Sequence, residues 1–193
     1  NTSRQLNQGL VSDNTSALSI GGYDTASTAV LESWNGTNWT EVNNINTARI
    51  NLGGCGTQTA MIFTGGYDGA NNEENENWDG SSWTEVGDLN VARYYTSGNG
   101  TANDAIATGG VVTPAPTYTC STCTETWDGT SWATIVDKPE DRHQAGLAGG
   151  SGVAFLAGGG PNPGSSIATT LEWNNSFNTG SFLKTKKIGS NFS

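Results

Sequence analysis

Trp34-Asn35-Gly36-Thr37-Asn38-Trp39 returns as Trp78-Asp79-Gly80-Ser81-Ser82-Trp83 and as Trp127-Asp128-Gly129-Thr130-Ser131-Trp132, and a blurred fourth copy, Trp173-Asn174-Asn175-Ser176-Phe177, closes the series. Self-similarity at a fixed period decides the architecture before any local propensity does. Asn-Gly and Asp-Gly are strong hairpin signals, because a two-residue type I′ turn needs φ > 0 at both central positions. With Asn35 and Gly36 as that pair, Trp34 faces Thr37, Glu32 faces Trp39, and both tryptophans share one face as diagonal neighbours. Each hairpin then offers an aromatic plate, and its simplest use is packing between neighbouring sheets at the outer edge of each unit.

Three more markers keep step with the tryptophans. Arg4, Arg49, Arg93 and Arg142 are 45, 44 and 49 residues apart, and Gly21-Gly22, Gly65-Gly66, Gly109-Gly110 and Gly158-Gly159 are 44, 44 and 49 apart. A glutamate stands two before the first tryptophan at Glu32, Glu76 and Glu125, and one before it at Glu172. The units therefore run over about 4–48, 49–92, 93–141 and 142–181, with 182–193 left as a tail or link to a neighbouring element.

Each unit parses into four short strands. In the second, a first strand lies near Arg49–Leu52, a second over Thr59–Thr64, a third ends at Trp78, and a fourth starts at Trp83. Counterparts of the second strand, Ser16–Ile20, Asp104–Thr108 and Gly152–Ala157, are short, apolar and bounded by glycine, as strands covered on both faces are. No segment has the period of an amphipathic helix. Only 13% of residues are charged, and the wealth of Gly, Thr, Ser and Asn suits strands joined by tight turns.

Four-stranded sheets repeated every 44 to 49 residues are the pattern of an all-β propeller with four antiparallel blades, either closed alone or part of a larger ring. The run of strand, Gly-Gly, strand, aromatic, turn, Trp resembles a kelch repeat over roughly residues 4–181. The interval between the two aromatics is shorter than in typical kelch repeats, and Phe177 takes the place of the second Trp in the fourth unit. Phrases such as Glu32-Ser33-Trp34-Asn35-Gly36, Asn46-Thr47-Ala48-Arg49 and Gly56-Thr57-Gln58-Thr59-Ala60 resemble a low-complexity variety of that repeat carried by tailed-bacteriophage proteins. The resemblance implies a virion tail or fibre component, displayed on the virion surface.

Charges are scarce, so one Arg and one Glu at fixed phase per unit call for a reason. Arg4, Arg49, Arg93 and Arg142 either hold a neighbouring strand's carboxylate and stitch units together, or snorkel at strand ends while the glutamates face water. The loops after each Gly pair emerge on one face and differ most between units, which makes them the candidate binding surface. Their residues are Tyr23, Asp24, Tyr67, Asp68, Asn71, Pro114, Tyr118 and Asn162. The structural set comprises Trp34, Trp39, Trp78, Trp83, Trp127, Trp132 and Trp173 with the four arginines. The stretch Tyr67–Glu76 is rich in oxygen ligands but lacks EF-hand spacing and reads as a solvated acidic loop.

A net charge of −10 with only eight basic residues excludes the phosphate neutralisation on which nucleic-acid binding rests. Lys184, Lys186 and Lys187 crowd into the last ten residues as a solvated tail. No apolar run is long enough for a membrane-spanning helix. Cys55, Cys120 and Cys123 fit no four-ligand zinc pattern; Cys55 reads as a small buried residue, and Cys120 and Cys123 as either a local disulfide or two free thiols. A single histidine, His143, supports no Ser-His-Asp or Cys-His set, so no catalytic residue, metal or cofactor is assigned. The reading is a non-enzymatic binding or structural protein whose partners are other virion subunits, copies of itself, and a host-surface glycan or protein. A secreted or cell-surface adhesion or filament module and a carbohydrate-active enzyme are the alternatives.

Overall fold

The computed structural model describes residues 3–113, 117, 119–161, 166, 169–174 and 181–183. Among them there is no helix. The first of four antiparallel sheets contains β1 (Gln8–Asp13), β2 (Ser16–Ile20), β3 (Leu31–Trp34) and β4 (Trp39–Val42), paired in chain order. The second contains β5 (Gly53–Thr57), β6 (Ala60–Thr64), β7 (Asn75–Trp78) and β8 (Trp83–Val86). The third contains β9 (Ser97–Thr101), β10 (Asp104–Thr108), β13 (Thr124–Trp127) and β14 (Trp132–Thr134), and its long loop forms a ribbon of β11 (Val111–Thr113) and β12 (Thr119–Cys120). The fourth contains β15 (Gly146–Gly149), β16 (Val153–Ala157), β17 (Thr170–Asn174) and β18 (Ser181–Leu183).

The hairpin register differs from the two-residue turn expected. Trp34 pairs with Trp39, Ser33 with Thr40 and Glu32 with Glu41, so four residues form the loop and the tryptophans stand directly opposite each other. Of the turn residues only the glycine, Gly36, has positive φ. The Asn35 side chain decides the matter: its Oδ1 accepts from the N–H groups of Thr37 and Asn38 at 3.0 and 2.9 Å, locking a longer loop. Asp79 and Asp128 do the same. The paired rings sit with centroids 5.0 to 5.5 Å apart, within the range of favourable tilted contacts.

Two boundaries also move. The first strand of the second unit starts at Gly53, not at Arg49, because Asn51 is left-handed with φ 54° and breaks the extended chain before β5. In the fourth unit the final strand is Ser181–Leu183, and Phe182 pairs with Trp173 in the place of the second tryptophan. That corrects the assignment of Phe177, which lies outside the described residues, and carries the last sheet across the expected 181/182 boundary.

Successive sheets stack face to face. Leu18 and Ile20 of the first pack on Met61, Phe63 and Trp78 of the second; Ile62 of the second packs on Ala105, Ala107 and Trp127 of the third; Ile106 of the third packs on Ala154 and Trp173 of the fourth. Every sheet thus has a front, carrying its first tryptophan, and the backs of the first three seat on the next front. The first strands lie side by side in the order β1, β5, β9, β15. Glycine permits that approach: a Cβ on Gly98 would come 2.9 Å from the backbone N of Gly54. Ser97 Oγ donates to Ala145 O at 2.6 Å and Asn99 Nδ2 to Leu147 O at 2.9 Å, joining β9 to the strand beyond.

Hydrogen bonds from Ser82 and Ser81 hold the Asp79 carboxyl well below the ordinary carboxylate range. The folded state therefore gains from this group above the unfolded value, and the gain fades as pH falls through the lower folded one. Thermal melts should show Asp79→Ala less stable than wild type at neutral pH, the gap closing in strong acid, whereas Asp79→Asn, which copies Asn35, should keep most of the wild-type stability.

Candidate functional site

The four arginines sit in the connections that enter each sheet. Arg49, Arg93 and Arg142 are fully buried. Their backbones serve the preceding sheet: Arg49 O accepts from Gly22 N–H at 3.1 Å, Arg93 O from Gly66 at 3.0 Å and Arg142 O from Gly110 at 2.9 Å. This contact explains the Gly pairs, since a Cβ on Gly21 would stand 2.6 Å from Arg49 O. Their side chains serve their own sheet: Arg49 Nη1 donates to Gly65 O and Glu74 O, and Nη2 lies 2.5 Å from Glu76 Oε1. Arg4 meets Glu32 at 3.1 Å and Arg93 meets Glu125 at 2.8 Å. Glu76 and Glu125 also accept from the backbone N–H of Asn46 and Asn90, in the connection arriving from the previous sheet. The buried pairs overturn the snorkelling reading, but the guanidinium groups of Arg4, Arg49 and Arg93 each hold a carboxylate of their own unit, and the tie between units runs through the arginine carbonyl and through the Asn46 and Asn90 N–H groups.

The fourth unit breaks the rule and repairs it. Trp173 follows Leu171 at the position that Glu32, Glu76 and Glu125 occupy, so Glu172 points to the other face, opposite Phe155. Arg142 takes its carboxylate from Glu140, at 2.6 Å, where the earlier connections carry Thr47 and Val91. Lys138 is a second departure. It is buried at the position of Ile45 and Leu89, with its Nζ on Ser121 O, and burial, then the charge of Arg93, lowers its pKa to about 8.

The loop end of the sheets carries the candidate binding residues. Tyr23 and Asp24 are exposed, as is Asp68, and Tyr67 is half-buried. Asn71 is a tie between units: its Nδ2 donates to Val112 O at 2.7 Å and to Val111 O at 3.3 Å. Pro114, Tyr118 and Asn162 lie outside the described residues. An acidic recess of about 440 Å³ beside this loop gathers Asp68, Glu73, Glu74, Glu85 and Asp88.

Sequence reasoning missed the centre. Two residues after each arginine stand Leu6, Asn51, Tyr95 and Gln144, and each has positive φ, between 52° and 58°. Left-handed backbone is costly for such residues, and its recurrence means that the surroundings impose it. The cause is a ladder: Asn51 N–H donates to Leu6 O at 3.2 Å, Tyr95 N–H to Asn51 O at 2.8 Å, and Gln144 N–H to Tyr95 O at 3.2 Å. These four residues rim a cavity of about 390 Å³ shared by all four sheets, with Asn7, Gln8, Thr96 and Ser97 below them and no charged side chain in its lining. A row of rings, Tyr67, Tyr94, Tyr95 and His143, runs from the loops to this rim with centroid separations of 4.9 to 5.8 Å. The spacing of the arginines was the signal that could have located the quartet.

All three cysteines are buried free thiols. Burial pushes Cys55 up to about 12 and raises Cys120 and Cys123 as well, which keeps them protonated and unreactive. Cys120 Sγ lies 3.5 Å from His143 Nδ1, which is itself 2.7 Å from Gly160 O. Among the described residues, no three His, Cys, Asp or Glu side chains are placed to share a metal.

No family model matches the sequence, and no curated protein does. The solved structure of YjhT is similar in fold, with a TM-score of 0.75 at 13% identity. The match covers 97% of this chain and 66% of that one, so this chain spans about two thirds of its length.

Two substitutions test the buried charges. Arg93→Ala should lower stability by about 3–5 kcal/mol in denaturant titration, because it strands Glu125 without its partner. Lys138→Leu restores the apolar residue of the other units and should stabilise by about 1–3 kcal/mol. In wild type the folded Lys138 loses its proton before the unfolded one, so stability should rise between about pH 8 and pH 10, and in Lys138→Leu that rise should vanish.

Proposed function

We propose that the four sheets are blades of a kelch-like β-propeller arc, and that the chain is a non-enzymatic scaffold in a phage tail or fibre. It meets other virion subunits through its constant frame and a host-surface glycan or protein through its uneven loop end. The observation that carries this reading is the division of labour among side chains. The in-phase arginines, their glutamate partners and the thiols are engaged inside the frame, while Tyr23, Asp24, Asp68, the acidic recess beside it and the neutral rim of Leu6, Asn51, Tyr95 and Gln144 are left at the loop end. Such a surface recognises by shape and hydrogen bonding, on a rigid support.

A panel of bacterial surface polysaccharides and outer-membrane proteins, probed with the chain and with Tyr23→Ser/Asp68→Ala, tests it. Retention of one panel member by wild type, weakened tenfold or more in the double variant with the ligand left intact, is the expected result. Cleavage of the glycan would replace this reading with the enzymatic one. Antiserum against the chain should decorate tails of intact particles in electron micrographs; label confined to cell surfaces would argue for the adhesion module.

A further inference from the structure

Among the described residues the devices that join each sheet to the next occur three times, and the two outermost sheets present faces that match each other. At the position where Leu18, Ile62 and Ile106 are each 1% exposed beneath the next sheet, the fourth sheet presents Phe155 at 48%. Ala157, whose counterparts Ile20, Thr64 and Thr108 are buried, is exposed beside it. At the other end, Trp34 is half-buried, whereas Trp78, Trp127 and Trp173 are buried under the sheet before them. The backbone series stops in the same way. Among the described residues, Gly159 N–H and Gln144 C=O at the tail, and Arg4 C=O and Leu6 N–H at the head, make no backbone hydrogen bond, although their equivalents in every interior junction do.

We infer that the chain associates head to tail with a second copy of itself, the back of the fourth sheet seating on the front of the first sheet of the next copy. The surfaces fit on three counts. Gly159 N–H would meet Arg4 C=O, as Gly110 meets Arg142, and Leu6 N–H would meet Gln144 C=O, continuing the ladder at the rim. The largest back residue, Phe155, would face a small front pair, Ala17 and Ser19, much as Ile62 faces Ala105 and Ala107. Among the described residues the chain's own two ends do not make this contact: Phe155 is half-exposed and Trp34 only half-buried. The association is heterologous, so it closes into a ring where the rotation allows and otherwise continues as a filament. A two-copy ring would hold eight sheets, within the roughly four to eight known for propellers.

Light scattering after size exclusion, across a micromolar concentration series, should find wild type above the mass of one chain and Phe155→Asp at that mass, with unchanged near-ultraviolet tryptophan dichroism. Phe155 is half-exposed in the single chain, so its replacement spares the fold. Trp39→Glu, at a half-buried position on the opposite face whose counterpart Trp83 packs on the preceding sheet, should also be held at one chain. Mixing the two variants should restore a one-to-one pair, because each contributes the intact face that the other lacks. Wild type that stays at one chain throughout, association that survives Phe155→Asp, or variants that fail to pair would each overturn the inference.

Discussion

A buried arginine whose main chain belongs to one sheet and whose side chain belongs to the next is the contact on which the architecture rests. Its carbonyl fixes the Gly pair behind it, and its guanidinium fixes the glutamate and strand ends ahead. A guanidinium suits the position because it is planar, always charged, and able to serve several acceptors in fixed directions. Buried charge is stable only when its hydrogen-bonding capacity is used, and the backbone carbonyls at Gly65 and Glu74 help to use it. The apolar contact between sheets is generic in chemistry; the arginine sets its spacing and order.

The reach of sequence reasoning follows from what leaves a trace in residue type. Strands β2 and β10 were legible to the residue because apolar runs bounded by glycine have one extended solution. The first strand of the second unit was misplaced, since β5 is glycine-rich and shows no alternation of side chains. The hairpin register turned on a single side-chain oxygen, at Asn35 or Asp79, and a dipeptide rule does not see that oxygen. The left-handed quartet was invisible because Leu6, Tyr95 and Gln144 are poor choices for such backbone, and only their neighbours across the rim make it the best one. The candidate loop residues were found as exposed positions in the case of Tyr23 and Asp68, whereas Asn71 proved to be a tie between units.

The irregular fourth unit shows how far one rule can bend. When leucine replaces the glutamate before Trp173, the carboxylate reappears at Glu140, on the connection that normally offers only an N–H. The guanidinium's demand is unchanged, and only the chain segment that meets it differs. Lys138 bends the frame in another sense, since it places an ammonium in a pocket shaped for Ile45 and Leu89 and meets it with the Ser121 carbonyl. Both changes flank the long loop of the third unit, whose ribbon of β11 and β12 brings its own hydrogen-bonding groups to that junction.

Because every junction uses the same backbone carbonyl, Gly pair and rim ladder, the gene carries interchangeable cassettes. Unequal exchange between the coding segments of the similar stretches Trp34–Val42 and Trp78–Val86 would add or remove a whole unit, and the new junction would be of a kind already present. The number of sheets and the number of loops displayed can then vary in lineages by recombination, without a period of poorly folded intermediates. Low sequence complexity in such a chain is a substrate for rapid remodelling of its loop end.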